Sequence, residues 1–546
     1  MKKYNKILVT AFILFIIGHC SLSIDNCKAQ WVARYNGTAN TSDHAKSIAV
    51  DDSGYVYVTG NSFDAETSSD YVTIKYSPSG DSVWVRRYGG IGNSYDEALS
   101  IAVDDSGNVF VTGNVGSISG SDFTTLKYNS AGALQWEAMY DGPANSIDRP
   151  SSIAVDHSGN TYVTGASTTT AGHYYDYATI KYNSSGDSVW VARYNGSSDY
   201  WDEPRSIAID DSGNVYVTGT SNGIETMYDY ATIKYNSEGD SVWVSRYNGT
   251  TSHWDQANSI ALDGIGNVYV TGYSEGSGTY NDYITIKYNS SGDSVWVSGY
   301  NNGIDEAKSI AVDSSGNVYV TGFSGGVGTD LDYSTVKYDS TGLEVWVRRY
   351  NGTENLGDIA YSIALDESGN VYVTGTCNGY AGLSDYATIK YSAAGRLIWV
   401  DCYNGPGNLY DEACSIVLDK SDNVYVTGFS SGMGTGEDYA TIKNPQLITD
   451  KKQVTSEIPG QFSLYQNYPN PFNPVTNLEF GISILGFVSL KVYDILGKEV
   501  VTLVNEKLSP GKYEVEFDGS GLPSGVYFYR LNAGESTDTK RMMLVK

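Results

Sequence analysis

Between Trp31 and Lys443 the chain alternates short apolar runs with turn signals, and no stretch keeps a helical period. The run SIAVDDSGYVYVTG, from Ser47 to Gly60, sets the unit. Apolar Ile48, Ala49 and Val50 lead into an Asp-Asp-Ser-Gly turn, and Val56, Tyr57, Val58 and Thr59 lead out of it. Two β-rich runs around such a turn predict a hairpin, because Asp and Ser bond nearby amides and Gly accepts a positive φ. The run begins again at Ser100, Ser152, Ser206, Ser259, Ser309, Ser362 and Ser415. Behind each copy comes a second half, DYVTIKY from Asp70 and SVWVRRY from Ser82 in the first instance. Each repeat therefore predicts four antiparallel strands, a to d, in the span of one propeller blade.

The two ends set the number of blades. WVARY from Trp31 is a strand d with no a, b or c before it, and the last copy runs a, b and c to Lys443 before Asn444 and Pro445 break the pattern. The first piece completes the last. The fold class predicted is all-β: an eight-bladed β-propeller over residues 30–443, its last blade closed by the N-terminal strand, which leaves no open sheet edge.

Positions that every blade repeats are read as serving the blade. They include Trp84 and its counterparts in strand d, and Lys75 and its counterparts in strand c, expected in inter-blade packing and ion pairs. The a–b and c–d turns are short and uniform and emerge on one face. The b–c and d–a connections emerge on the other, differ between blades, and carry the aromatics that do not repeat: Tyr174, Tyr175, Tyr200, Trp201, Tyr228, Trp254, Tyr280 and Tyr410. Variable loops on a rigid scaffold are where binding concentrates, so these eight are the candidate ligand-binding residues.

Composition narrows the function. A formal charge of −28, from 63 acidic and 35 basic side chains, repels phosphate backbones and argues against a nucleic-acid partner. Lys2, Lys3 and Lys6, an apolar run from Ile7 to Gly18 and a polar tail predict a signal peptide over residues 1–29, and no other run is long enough to span a bilayer. Beyond it stand three cysteines, Cys377, Cys402 and Cys414, allowing at most one internal disulfide, with Cys402–Cys414 the shorter loop. No Cys/His metal spacing occurs, and no nucleophile elbow or phosphate loop stands out, so neither catalytic nor metal-binding residues are expected. The AspxSerGlyAsn turns leave Ca2+ as the one cofactor with any sequence support, though they lack the run of acidic ligands a calcium loop needs. Adjacent acids such as Asp202-Glu203 and Asp305-Glu306 imitate glycosidase carboxylates, but they recur at one d–a position and are read as structural or solvated.

After Lys443 the composition changes to a polar linker, residues 444–459, and then a compact Ig-like β-sandwich over 460–546, whose strands alternate at period two. Two resemblances follow from quoted residues. The unit SIAVDDSGNVFVTG…KYNSAGALQW resembles the SBBP bacterial β-propeller repeats, a likeness that implies the fold and little chemistry. The C-terminal segment resembles the type A sorting domain of type IX secretion. It does so through Asn467, Pro469, Asn470, Pro471, Phe472 and Pro474 in NYPNPFNP, Gly497 in VYDILG, Gly525 in LPSGVYFY, and the terminal Lys546. That resemblance implies a Gram-negative host of the Bacteroidetes kind, recognition by the outer-membrane translocon, and a mature protein that is secreted or surface-attached without a transmembrane span. The expected function is a non-catalytic propeller presenting its loop face to extracellular polysaccharide or a surface protein. The alternatives are a structural envelope component without a discrete ligand and an eight-bladed quinoprotein-like dehydrogenase.

Overall fold

The computed structural model describes residues 30–444, 451–455 and 459–546, apart from 65–67, 91–93, 117–119, 170–173, 277–279, 327, 353–354, 379–382, 496, 498, 520–521 and 535. The expected signal peptide lies outside the described residues. Blade 1 shows the pattern of all: strands Asp43–Val50, Val56–Asp64, Ser68–Tyr76 and Ser82–Tyr88 pair in order as one four-stranded sheet. Seven such sheets follow one another along the chain, and the eighth takes its strands a to c from Asp411–Leu418, Val424–Ser431 and Glu437–Asn444. Its fourth strand is Trp31–Tyr35, antiparallel to strand c from Trp31↔Lys443 to Tyr35↔Tyr439. The ring is closed as predicted.

Strand b carries the apolar load because both of its faces are covered by neighbouring blades: Val56, Tyr57 and Val58 are fully buried, as are Val371, Tyr372 and Val373 in blade 7. The repeated side chains stitch seams. The Trp31 ring lies 5.9 Å from Tyr425 of its own blade and 6.3 Å from Tyr76 of blade 1, and its Nε1 donates to the Pro78 carbonyl at 3.2 Å. Trp84 makes the same contact to the Ser130 carbonyl of blade 2. The c–d turn that receives this ring needs glycine twice over. Gly80 has φ +92°, and a Cβ there would stand 2.7 Å from the Trp31 ring. Tyrosines of strand c reach the next blade too, and Tyr439 Oη donates to the Val72 carbonyl at 3.2 Å across the point of closure.

The strand-c lysines serve the seam. Lys75 Nζ sits 4.9 Å from the Tyr57 ring centroid and donates to the Ser130 carbonyl at 3.1 Å. Ion pairing falls to the neighbouring Asp, which is five residues away and so on the opposite face of the strand. Asp70 takes Arg87 of strand d at 2.6 Å, and Arg34–Asp438, Arg193–Asp176, Arg246–Asp229 and Arg349–Asp332 repeat the clip. Each of these arginines also reaches the strand-b serine, as Arg246 does at Ser221 Oγ, 2.5 Å away. In blade 7 the Asp end is kept as Asp385, but Cys402 stands in the arginine place and Cys377 in the serine place. They share one cluster, whereas Cys414 lies in strand a of blade 8 with its Sγ 3.2 Å from the Ala45 carbonyl. The sequence-closest partner for Cys402 is thus the wrong neighbour, because strands a and d lie at opposite edges of a blade.

The C-terminal unit consists of two four-stranded sheets around one core that includes Leu478, Phe480, Val488, Leu490, Tyr529 and Met542. Residues 444–459 are not all linker. Asn444 ends the last propeller strand, and Lys451–Thr455 forms a strand on the edge of Gly511–Asp518. KKQVT has no apolar alternation to announce a strand, and edge pairing needs only its backbone.

Candidate functional site

Every d–a connection is held by one buried Asp at the start of strand a. Asp202 accepts from the amides of Gly196 (2.8 Å) and Asn222 (3.1 Å), and Asp358 from those of Gly352 (2.6 Å) and Asn378 (2.8 Å). Burial outweighs these bonds and pushes both carboxyls up to about 6. Burial likewise lifts Asp385 to about 6 and Asp401 to about 7. A carboxyl whose folded pKa lies above its unfolded value binds more protons when folded, so stability is gained as pH falls from 7 through the folded pKa values toward the unfolded one, near 3.8. The protein is expected to melt at a higher temperature at roughly pH 5 than at pH 7.5, and Asp401→Asn should flatten the difference. Melting curves over that range check this; a melting temperature that falls on acidification would contradict it.

The loops anchored in this way bring the predicted aromatics together in pairs. The b–c loop of one blade meets the d–a loop that leads into the next. Tyr174 leans on Tyr200 with centroids 4.7 Å apart and planes tilted by 44°, Tyr175 meets Trp201 at 6.4 Å, and Tyr228 meets Trp254 at 4.6 Å, where backbone bridging also joins the two loops. The Tyr200 hydroxyl beside it raises the pKa of Tyr174. Blades 3 to 5 thus carry a row of aromatic pairs along two adjacent seams. Trp201 and Trp254 remain 44% and 43% exposed, so the pairs offer ring surface to solvent. Tyr280 (69% exposed) and Tyr410 (53%) stand apart on blade 5 and on the connection into blade 8.

A second set of residues on this side of the wheel was missed by reading the sequence for what repeats. Strands a of neighbouring blades pack side by side around the full circle, so they are the innermost strands. Between the buried Asp and the Ser-Ile pair, each copy has two positions that vary between blades, although Glu fills the first in four of them. The first holds His44, Glu97, Arg149, Glu203, Gln256, Glu306, Ile359 or Glu412; the second holds Lys46, Leu99, Ser151, Arg205, Asn258, Lys308, Tyr361 or Cys414. The second lies at a bulge, as between Ala45 and Ser47. The first pairs directly with a third non-repeating position in strand b, as in Gln256↔Tyr273, Glu306↔Phe323 and Glu412↔Phe429. Apart from the exposed Arg149 and Arg205, these side chains are half-buried in mid-strand, flanked by neighbouring strands a and backed by strand b, which leaves the axis as the solvent they meet. Ion pairs cross them: Lys46–Glu97 at 3.1 Å, Arg205–Glu203 at 3.1 Å, His44–Glu437 at 2.6 Å. The adjacent Asp-Glu acids therefore divide: the Asp holds a loop and the Glu faces the axis.

The turns with sequence support for Ca2+ use their carboxylates internally. Asp51 Oδ1 accepts from the Ser53 and Tyr55 amides at 2.9 Å each, and Oδ2 from Tyr57 Oη at 2.8 Å. Among the described residues, oxygens of Asp122, Asp141 and Asp148 lie within 4.8 Å of one another, at the seam between blade 3 and blade 2, where Met139 replaces the clip arginine.

In the C-terminal unit the motif residues hold the tail. Phe472 exchanges backbone hydrogen bonds with the last strand, its amide donating to Met543 O (2.9 Å) and its carbonyl accepting from Val545 N (3.0 Å). Asn470 Oδ1 accepts from the Met543 amide, buried Asn467 bonds Thr476 Oγ1 and the Pro469 carbonyl, and the Lys546 amide donates to Ser524 Oγ. Pro471 and Pro474 flank Phe472 in the same loop, and Gly497 and Gly525 stand at a turn and at a strand start.

Comparison with known proteins agrees with both units. The Beta-propeller repeat (SBBP) family matches residues 30–62, 83–114, 189–224, 243–278, 299–327 and 345–381, and the Secretion system C-terminal sorting domain matches 466–546. That domain marks type IX secretion to the cell surface or extracellular space. Among the described residues no helix is long and apolar enough to cross a membrane. An uncharacterized WD repeat-containing protein of Acanthamoeba polyphaga mimivirus is 25% identical over 47% of this chain, which spans about a fifth (22%) of that relative's length. Solved structures with similarity include a polysaccharide lyase (11% identity, TM-score 0.39, covering 63% of this chain and 89% of that one). Another is a protein of unknown function from Bacteroides thetaiotaomicron (13%, TM-score 0.28, covering 74% and 99%).

Proposed function

We propose that this chain, a run of SBBP β-propeller repeats ended by a type IX secretion sorting domain, is an exported binding protein that holds extracellular polysaccharide on its variable-loop face without acting on it. The observation that carries this reading is the row of paired aromatics at the seams of blades 3, 4 and 5. A repeat scaffold with uniform turns on one face has no packing need for exposed tryptophans on the other. Paired rings with open faces suit the apolar C–H face of a sugar, for which an aromatic contributes stacking and little conformational cost. The non-catalytic part of the reading rests on the predicted loop residues themselves, which are tyrosines and tryptophans rather than a paired acid and base at hydrogen-bond reach.

Glycan-array binding by the released propeller tests it. Trp201→Ala and Trp254→Ala are each expected to weaken binding at least tenfold, the order of the loss when an aromatic contact of about 1.4 kcal/mol or more is removed, while the melting temperature stays within a degree or two. A surface protein is the partner if the arrays are blank and capture from the cell surface depends on the same two residues. Binding that survives both substitutions sinks the loop-face reading, and the absence of any loop-dependent ligand leaves the structural envelope role in its place.

A further inference from the structure

From the axial positions that break the repeat, we infer a second binding site, on the inner strands of blades 5 and 6, that takes one neutral sugar unit. It is built from Gln256, Asn258, Tyr273, Glu306, Lys308 and Phe323, none of which belongs to the outer loop aromatics. Gln256 Nε2 donates to Asn258 Oδ1 at 2.7 Å, and Asn258 Nδ2 reaches Glu306 Oε1 at 3.5 Å and the Ala307 carbonyl at 2.7 Å. Lys308 Nζ contacts the same Glu306 oxygen at 2.5 Å and lies 5.5 Å from the Phe323 ring centroid. Tyr273 and Phe323 come from adjacent strand-b positions of the two blades, each opposite the first non-repeating residue of its strand a.

The chemistry of the set selects the ligand. Glu306 is paired by Lys308, so the cluster has no surplus cation to hold an anionic sugar and no surplus acid to hold a cation. It offers amide, ammonium and carboxylate groups in adjoining donor–acceptor pairs, which match neighbouring hydroxyls on a ring. The half-buried Tyr273 beside them supplies the apolar surface that such sites use for the other side of the sugar, while the buried Phe323 ring supports Lys308 from below. Single members recur, such as Glu203 in blade 4, Lys46 in blade 1 and Phe429 in blade 8, but no other adjacent pair of blades holds all six, so the complete set exists once in the ring. Folding does not demand this set, since the six other blades fold without it.

Saturation-transfer NMR on the full chain, with glucose, galactose, mannose and fucose as probes and glucuronate as the anionic comparison, tests the assignment. At least one neutral sugar should receive transfer from the protein. Its affinity should fall at least tenfold in Glu306→Gln, which keeps the shape and removes the charge, and in Tyr273→Ala, but not in Trp201→Ala or Trp254→Ala. Where Tyr273→Ala lowers the melting temperature, Tyr273→Phe, which removes only the hydroxyl, replaces it. No transfer to any neutral sugar, a preference for glucuronate, or binding unchanged in the axial variants would overturn the site. Loss in the loop variants alone would assign the sugar to the outer face and leave the axis without a ligand.

Discussion

Deleting residues 31–36 should abolish the soluble propeller, although only six residues are removed. The strand supplies the whole ladder along one edge of Glu437–Asn444, the Trp31 ring between Tyr76 and Tyr425, and Arg34. Arg34 donates to Asp438 Oδ2 (2.8 Å), Ser430 Oγ and the Ser430 carbonyl, and the Asp438 side chain is 7% exposed. Removing one partner of a buried pair costs about 3–5 kcal/mol, against a native margin of about 5–15 kcal/mol. The exposed edge of strand c then becomes a template for pairing with another chain. Size-exclusion chromatography should show aggregate in place of monomer, with Arg34→Ala intermediate: folded, but melting at a lower temperature. A deleted protein that stays monomeric and melts normally would contradict the role given to this strand.

Removing residues 466–546 should have the opposite pattern, an intact fold in the wrong place. The propeller closes on its own strands, and the C-terminal sheets enclose a separate core, so neither needs the other's burial. The truncated protein is expected to reach the periplasm, melt as the full propeller does, and be undetectable outside the outer membrane. Fractionation with antibody detection checks this. Phe472→Ala should reproduce the export defect by a gentler route. Phe472 is 2% exposed, packs 5.7 Å from Phe517, and its backbone holds the final strand, so emptying its place should cost about 3–5 kcal/mol of the sorting unit's stability. Truncated protein appearing on the cell surface would show that another segment directs export.

The blade was readable because folding chose the same residue again and again: Trp84 and its counterparts and the Asp43 series recur eight times, and the Gly80 turn recurs in the seven blades that have a c–d turn. Ring closure was readable for the same reason, since Trp31 is an incomplete copy of a pattern seen elsewhere. What escaped had the reverse character. Glu306, Lys308 and Tyr273 are exceptions within strands that otherwise repeat, and a search for periodicity averages them away. Comparing copies for where they disagree would have found them. The Arg–Asp clip was also legible in principle, because Arg87, Arg193, Arg246 and Arg349 recur, but it needed the pleat to show that Asp70 and Lys75 face opposite ways. The strand at Lys451–Thr455 was not legible. Its residues are polar, and its partner Gly511–Asp518 lies some sixty residues on, so nothing local marks the pairing.

The eight-fold closed ring underlies all of this, because closure alone sets every variable loop on one side and every strand a around one axis. Amide hydrogen exchange of residues 31–35 tests it most directly. In a closed ring the amides of this edge strand that bond to 439–443 exchange as slowly as the ladder they belong to. Exchange within seconds, at the rate of a loose chain terminus, while 439–443 stays protected, would mean that the strand is unpaired and the ring is open.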